Sequence, residues 1–349
     1  MKNNTNRNLI VLLISFMISA CDDSPIDSIE IEQTSLRKSV HAFGINSDGD
    51  IFAAIGSGIV NPSTGGVYRS TNNGDSWIKV FTGLDRKVRT LAINSDGDIF
   101  AGSSKGVFRS IDNGDTWTEV NAGLLGSSVN SLAVNSNGNI FAGTWSFPNG
   151  PGPVFRSTDN GDTWTEANNG LEKEMVWSLV INSDGDIFAV FSRRVFRSTD
   201  NGNSWTEVYT RLLGSLLTSL VINSDGVIFA PIGFDGVAHS IDNGDSWSRA
   251  KNSLTGLINT LGVNSSGHIF AGTVCTSFFI QCDDVMGKGR LFSSTNNGND
   301  WKEINTDWTA NSVYEISVNS AGYIFIGTDK GVYRSVKPTI SSGESIVGY

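Results

Sequence analysis

Four side chains stand out in this sequence for what they could do chemically: the imidazole of His41, the guanidinium of Arg89, the indole of Trp177 and the phenol of Tyr314. Such groups stack on a ligand and anchor it by hydrogen bonds. With Asn130, Thr218 and Asn259 they fill one register, five residues before each of seven recurring asparagines. Two residues further on, that register reads Leu, Ile or Phe throughout. The chain therefore holds a core position constant and varies a polar and aromatic one beside it. We read the variable set as the lining of a ligand pocket. Trp145 and Trp308 join it because, of nine tryptophans, only they and Trp177 fall outside the repeat template.

Catalytic constellations are sparse. There are three histidines, and His239 and His268 occupy repeat positions filled elsewhere by Arg and by Asp or Asn. No Ser-His-Asp arrangement or metal cluster emerges. Tyr314 and Glu315 are adjacent, so on a regular strand their side chains should point to opposite faces. Arg37 and Arg86 fall in loops next to the register. Arg69, Arg109, Arg156, Arg197 and Arg334 share one repeat position, which marks them as pairing residues between blades or at the surface rather than a substrate clamp. Cys275 and Cys282 lie in one irregular insertion and are expected to form a disulfide; two cysteines without nearby histidines are too few for zinc.

These side chains need a scaffold, and the repeat supplies it. The pattern NSxGxIF starts at Asn46, Asn94, Asn135, Asn182, Asn223, Asn264 and Asn319, the last with Ala321 and Tyr323. The intervals are 48, 41, 47, 41, 41 and 55 residues. A period near forty with four short strand patterns predicts an all-β fold, a seven-bladed β-propeller of four-stranded antiparallel blades. In the second repeat the strands are expected at 88–94, 99–102, 107–110 and 117–120, here called a to d from the centre outward. Asp96-Gly97-Asp98 and Asp112-Asn113-Gly114-Asp115 are the tight turns between them. The Asp-Gly-Asp turns lack the ligand ladder and final Glu of a calcium loop, so no metal is assigned.

The seventh repeat stops at Ser335, before a strand d. The missing piece is found at the other end, where residues 29–40 align without a gap on residues 77–88. Ile29–Glu32 should therefore complete the last blade. The propeller spans 29–337, with 338–349 a tail. Because strands alternate direction, the a–b and c–d turns share one face and the b–c and d–a loops the other. Length varies only in b–c, at 57–66, 145–153 and 274–290, which places ligand binding on that face.

Residues 1–20 read as a signal peptide: Lys2 and Arg7 precede an apolar run from Leu9 to Ile18, too short for a stable membrane span. The segment ends in Ile18-Ser19-Ala20-Cys21, which resembles a bacterial lipobox and implies lipidation of Cys21, with 21–28 a tether. The expected location is the bacterial cell envelope, with membrane contact through the lipid alone. The chain of 349 residues carries a net charge of -10, and loss of Lys2 and Arg7 brings it to -12, which disfavours nucleic acid as a partner.

The c–d motif, SxDNGDTW and its variants starting at Ser70, Ser110, Ser157, Ser198, Ser240 and Ser294, resembles the Asp-box of the BNR-repeat families. These include sialidases, sortilin-type receptors, two-propeller xyloglucanases and a photosystem II assembly factor. Asn72 and Asn296 replace the motif Asp, and Asp300 replaces the Thr or Ser. The resemblance implies that the box is a folding element on the side away from ligand. It also implies a choice. A sialidase-like glycoside hydrolase needs three arginines, a Tyr–Glu pair and an acid, and its Arg-Ile-Pro signature is missing here. A non-enzymatic propeller that captures a protein segment or a glycan needs only the ring. The second reading is preferred, without cofactor and as a monomer.

Overall fold

The computed structural model describes residues 29–56, 65–81, 88–124, 128–145, 153–210, 217–250, 254–275 and 288–339. The signal segment, Cys21, the tether, Arg86, Cys282 and most of the three insertions lie outside them. Each repeat forms one antiparallel four-stranded sheet, and seven such sheets make the seven-bladed propeller. In blade two the strands are Val88–Ile93, Ile99–Ser103, Gly106–Ser110 and Thr118–Glu119. Strand b is buried along its whole length in blades one, two, four, five and seven, as expected of a strand enclosed on both faces.

The repeat-wide residues bind one blade to the next. The Oδ1 of Asn94 accepts the Asp98 N–H at 2.8 Å and so closes its own a–b turn. Its Nδ2 donates at 3.0 Å to Asn160, in the c–d turn of blade three. Asn46, Asn135, Asn182, Asn223 and Asn319 repeat both contacts, and Asn319 reaches Asn73 in blade one. The receiving asparagines all have φ between 55° and 61°, a left-handed conformation that Asn tolerates better than most residues. The strand-c arginines serve the same joint: Arg109 donates to the Asn160 carbonyl at 2.6 Å and pairs with Asp162 at 2.9 Å. Phe100, fully buried, packs over Gly161 of the same turn.

This joint gives a first testable outcome. Asn113→Ala removes hydrogen bonds to Asn46 at 3.1 Å and Asp50 at 2.7 Å and leaves Ala at φ 57°. Two hydrogen bonds at about 1 kcal/mol each and a left-handed penalty of about 1 kcal/mol predict a loss near 3 kcal/mol. Urea unfolding checks it; a loss under 0.5 kcal/mol would show that the turn does not join blades.

Closure is as the register predicted, two residues along. Ile31–Gln33 pairs with Gly331–Ser335 as the outer strand of blade seven. Arg334 ties that strand to Glu32 and Asp75 at 2.7 Å each. Thr339, in the expected tail, is held in place. Blade seven has no c–d turn to meet Asn264, and Thr339 takes its place at 3.4 Å while its N–H donates to the Gly322 carbonyl at 2.8 Å.

Candidate functional site

Strand a begins at the mouth of the central channel, and there its pairing slips. In blade one the ladder passes from Val40 to Ala42, in blade two from Val88 to Thr90, and in blade three from Val129 to Ser131. Blades six and seven skip likewise between Ile258 and Thr260 and between Val313 and Glu315. The residues passed over are His41, Arg89, Asn130, Asn259 and Tyr314. Each is the unpaired residue of a β-bulge, a device that re-aims a side chain. All seven ring residues, with Trp145, line one cavity of about 680 Å³.

Most of the ring is stitched together across blades. Arg89 donates from Nη1 to Asn130 Oδ1, and Asn130 Nδ2 donates to the Val176 carbonyl at 3.3 Å. Thr218 Oγ1 donates to the Asn259 carbonyl at 2.6 Å, and Asn259 Nδ2 to the Val313 carbonyl at 3.3 Å. His41 stacks on Tyr314 with centroids 4.8 Å apart and planes 12° from parallel. These contacts link blades two to four, five to seven, and seven to one. Trp177 remains 37% exposed and Trp145 41%, enough to offer each indole to a ligand.

The bulge corrects one expectation. Tyr314 and Glu315 both line the cavity, because the extra residue breaks the alternation that would have sent them to opposite faces. Glu315 belongs to a second ring, one residue below the first, which otherwise reads Ala42, Thr90, Ser131, Ser178, Ser219 and Thr260. Thr90 and Ser131 spend their oxygens within the wall, accepting the Leu132 N–H at 3.2 Å and the Leu179 N–H at 2.9 Å. Glu315 has no hydrogen bond or ion pair among the described residues. It is half-buried, facing the cavity, and the low-dielectric wall pushes its carboxyl up to about 8. Burial also raises the Tyr314 phenol and lowers the Arg89 guanidinium from its ordinary range. Comparing the repeats one column beyond the first ring would have shown Glu315 as the departure.

Trp308 is a second correction. It is 4% exposed, donates Nε1 to the Gly289 carbonyl at 2.6 Å, and meets Tyr333 edge to face at 5.1 Å. Its polar tip is satisfied inside the protein, so it braces a loop and does not bind ligand. Phe234 had no repeat signature to mark it, yet it is 51% exposed at the b–c turn of blade five. Cys275 is disulfide-bonded, and Cys282 lies outside the described residues. His239 fills the strand-c arginine position, and burial lowers its pKa.

The c–d turns lie on the opposite face. In four of them the Trp indole donates to the Gly carbonyl of its own turn, as Trp117 does to Gly114 at 2.9 Å. Trp164 and Trp205 instead reach back to the Val120 and Ala167 carbonyls of the preceding blades, at 2.8 and 2.9 Å. Every indole nitrogen of these turns is thus used structurally.

A model of the DUF6242 beta propeller domain matches residues 127–259, less than half of the chain. No curated protein matches the sequence. Solved structures match the fold. The extracellular domain of BT4673 from B. thetaiotaomicron is 15% identical with a TM-score of 0.68; the match covers 88% of this chain and 40% of that one, so this chain spans two fifths of its length. YCF48 bound to D1 peptide is 16% identical with a TM-score of 0.69, over 90% and 98% of the two chains. Virginiamycin B lyase from Staphylococcus aureus is 14% identical with a TM-score of 0.69, over 88% and 99%. At such identities the likeness is one of fold.

Proposed function

We propose that this chain is a non-enzymatic binding propeller of the Asp-box type, carried as a lipoprotein of the bacterial envelope, that captures a protein segment or glycan at its channel mouth. One observation carries the reading. The a–b and c–d turns are spent on blade-to-blade hydrogen bonds, while the seven positions that vary converge on a single cavity of about 680 Å³. That volume lies within the usual range for ligand sites, and its mixture of ring faces and few polar anchors is typical of them. The peptide bound by YCF48 favours a polypeptide ligand. The extracellular origin of the BT4673 domain agrees with an envelope location.

A sialidase-like hydrolase gains one point, since Tyr314 and Glu315 share the cavity. Against it, Arg89 is the one arginine and Glu315 the one carboxylate in the wall among the described residues. The sialidase resemblance calls for a further acid as proton donor and for an arginine cluster. A fluorogenic sialoside screen that found turnover abolished by Tyr314→Phe would favour the hydrolase.

The test of binding is capture from solubilised membranes, together with a glycan array, using the chain and its Arg89→Ala/Trp177→Ala double variant. We expect a partner retained by the parent and lost by the double variant, which still folds; because it gives up the Arg89–Asn130 hydrogen bond, its melting temperature should fall by a few degrees. Equal capture by both would move the interface away from the ring.

A further inference from the structure

Among the described residues, the cavity holds one ionisable group that is left unserved. Glu315 has neither a hydrogen bond nor an ion pair among the described residues, and it stands where six other blades carry Ala, Ser or Thr. A carboxyl in such a place costs stability unless something is brought to it. We propose that Glu315 receives a cationic group, the ammonium or guanidinium of a lysine or arginine side chain on a polypeptide partner. The inference rests on the reading of the channel mouth as a binding site and names the chemistry it selects.

Three observations point to a cation. Tyr314, the chain neighbour of Glu315, lines the same cavity, and a phenol face attracts a cation. Arg89, the one permanent cation of the wall among the described residues, is drawn by its bond to Asn130 toward blade three, away from blade seven. The net charge of -10 gives a long-range attraction for basic partners. The strands packed against strand a of blade seven (Val313–Val318) carry little else that titrates. Those of blade six (Leu257–Val263 and Ile269–Val274) and the blade's own strand b (Ile324–Thr328) have no ionisable residue. Strand a of blade one (Val40–Ile45) contributes His41, and Asp329 follows strand b and bears on Tyr314. Glu315 is thus the acid that a cation entering the cavity would meet.

Binding a cation requires the carboxylate, so each association below about pH 8 must release a proton. The affinity should rise roughly tenfold per pH unit up to that value and level off above it.

The probes are end-capped pentapeptides, identical except for a central Lys, Arg, Gln or Glu, and a neutral oligosaccharide. Each is titrated into the full chain between pH 6 and pH 9 and followed by tryptophan fluorescence and by calorimetry in two buffers of different ionisation enthalpy. The expected result is that the Lys or Arg peptide binds best, with proton release at pH 7, and that Glu315→Gln lowers this affinity at least tenfold with no loss of melting temperature. A flat pH profile, or equal binding of the Gln peptide, overturns the proposal. Preference for the Glu peptide or the oligosaccharide, lost on Arg89→Ala, overturns it too but leaves the channel standing as a binding site. Failure of every probe also overturns it, and the membrane capture experiment then decides separately whether the channel binds at all.

Discussion

A chain lacking residues 29–33 melts at least about 10 °C below the full chain, because 2–4 °C is lost per kcal/mol in a domain of this order of size. The deletion removes the pairing of Ile31, Glu32 and Gln33 with Ser335, Arg334 and Tyr333, and the bond from the Val336 N–H to the Glu30 carbonyl at 2.8 Å. Ladder bonds contribute about 1 kcal/mol each. Ile29 and Ile31 are partly buried against the blade-seven core, worth a further 1–2 kcal/mol each by area. The Arg334 pair with Glu32 is half in water and adds less than about 1 kcal/mol. The strand Gly331–Ser335 would also be left with an open edge, which invites pairing between molecules. Calorimetry should show the lower transition, and size-exclusion chromatography a new oligomer. A melting point within 2 °C of the parent would mean the ring holds without this strand.

Glu315→Gln is expected to stabilise the protein, and to do so more as the pH rises. The carboxyl titrates at about 8 in the folded protein and near 4.5 when unfolded. Between those values the native state binds the extra proton, so stability falls as pH rises through the window. The whole contribution is present below 4.5 and gone above about 8. Each pH unit in pKa corresponds to about 1.4 kcal/mol, which sets an upper figure of 4–5 kcal/mol; contact with cavity water reduces it to roughly 3. The parent should therefore lose stability from pH 5 to pH 8 relative to the Gln variant, whose neutral side chain has no such dependence. Parallel pH profiles from urea unfolding would show that Glu315 keeps an ordinary acidity. A residue that weakens the fold at neutral pH is a familiar mark of a site kept for function.

The blades could be read from the chain because each repeat spells out its strands and turns, and because the residues at the joints must recur for one blade to meet the next. Asn94, Asn113, Arg109 and Trp117 are examples. The ring was legible for the opposite reason: His41, Arg89 and Trp177 vary where nothing structural requires a fixed residue. What the sequence hid was backbone detail. A bulge at Tyr314 leaves no signature of its own, yet it turned Glu315 into the cavity. Trp308 showed the limit of reasoning from departures, since a residue outside the template can still be core, here against Tyr333. Thr339 is a third case, a lone residue doing by position what six c–d turns do by motif.

The direction of the first strand also sets which way the molecule looks. Ile31, its first residue, pairs with Ser335 at the end of strand c, and Gln33 donates to the Lys330 carbonyl at the b–c turn. The polypeptide thus enters on the side of the blade-to-blade turns and runs toward the loop side. Thr339 sits against the a–b turns of blades six and seven, on that same side. Both ends of the described chain therefore depart from the floor of a cup whose opening points the other way. Residue 29 leaves the propeller on the side away from the lip. An affinity tag placed before residue 29 would leave the lip as open as it is in the untethered molecule.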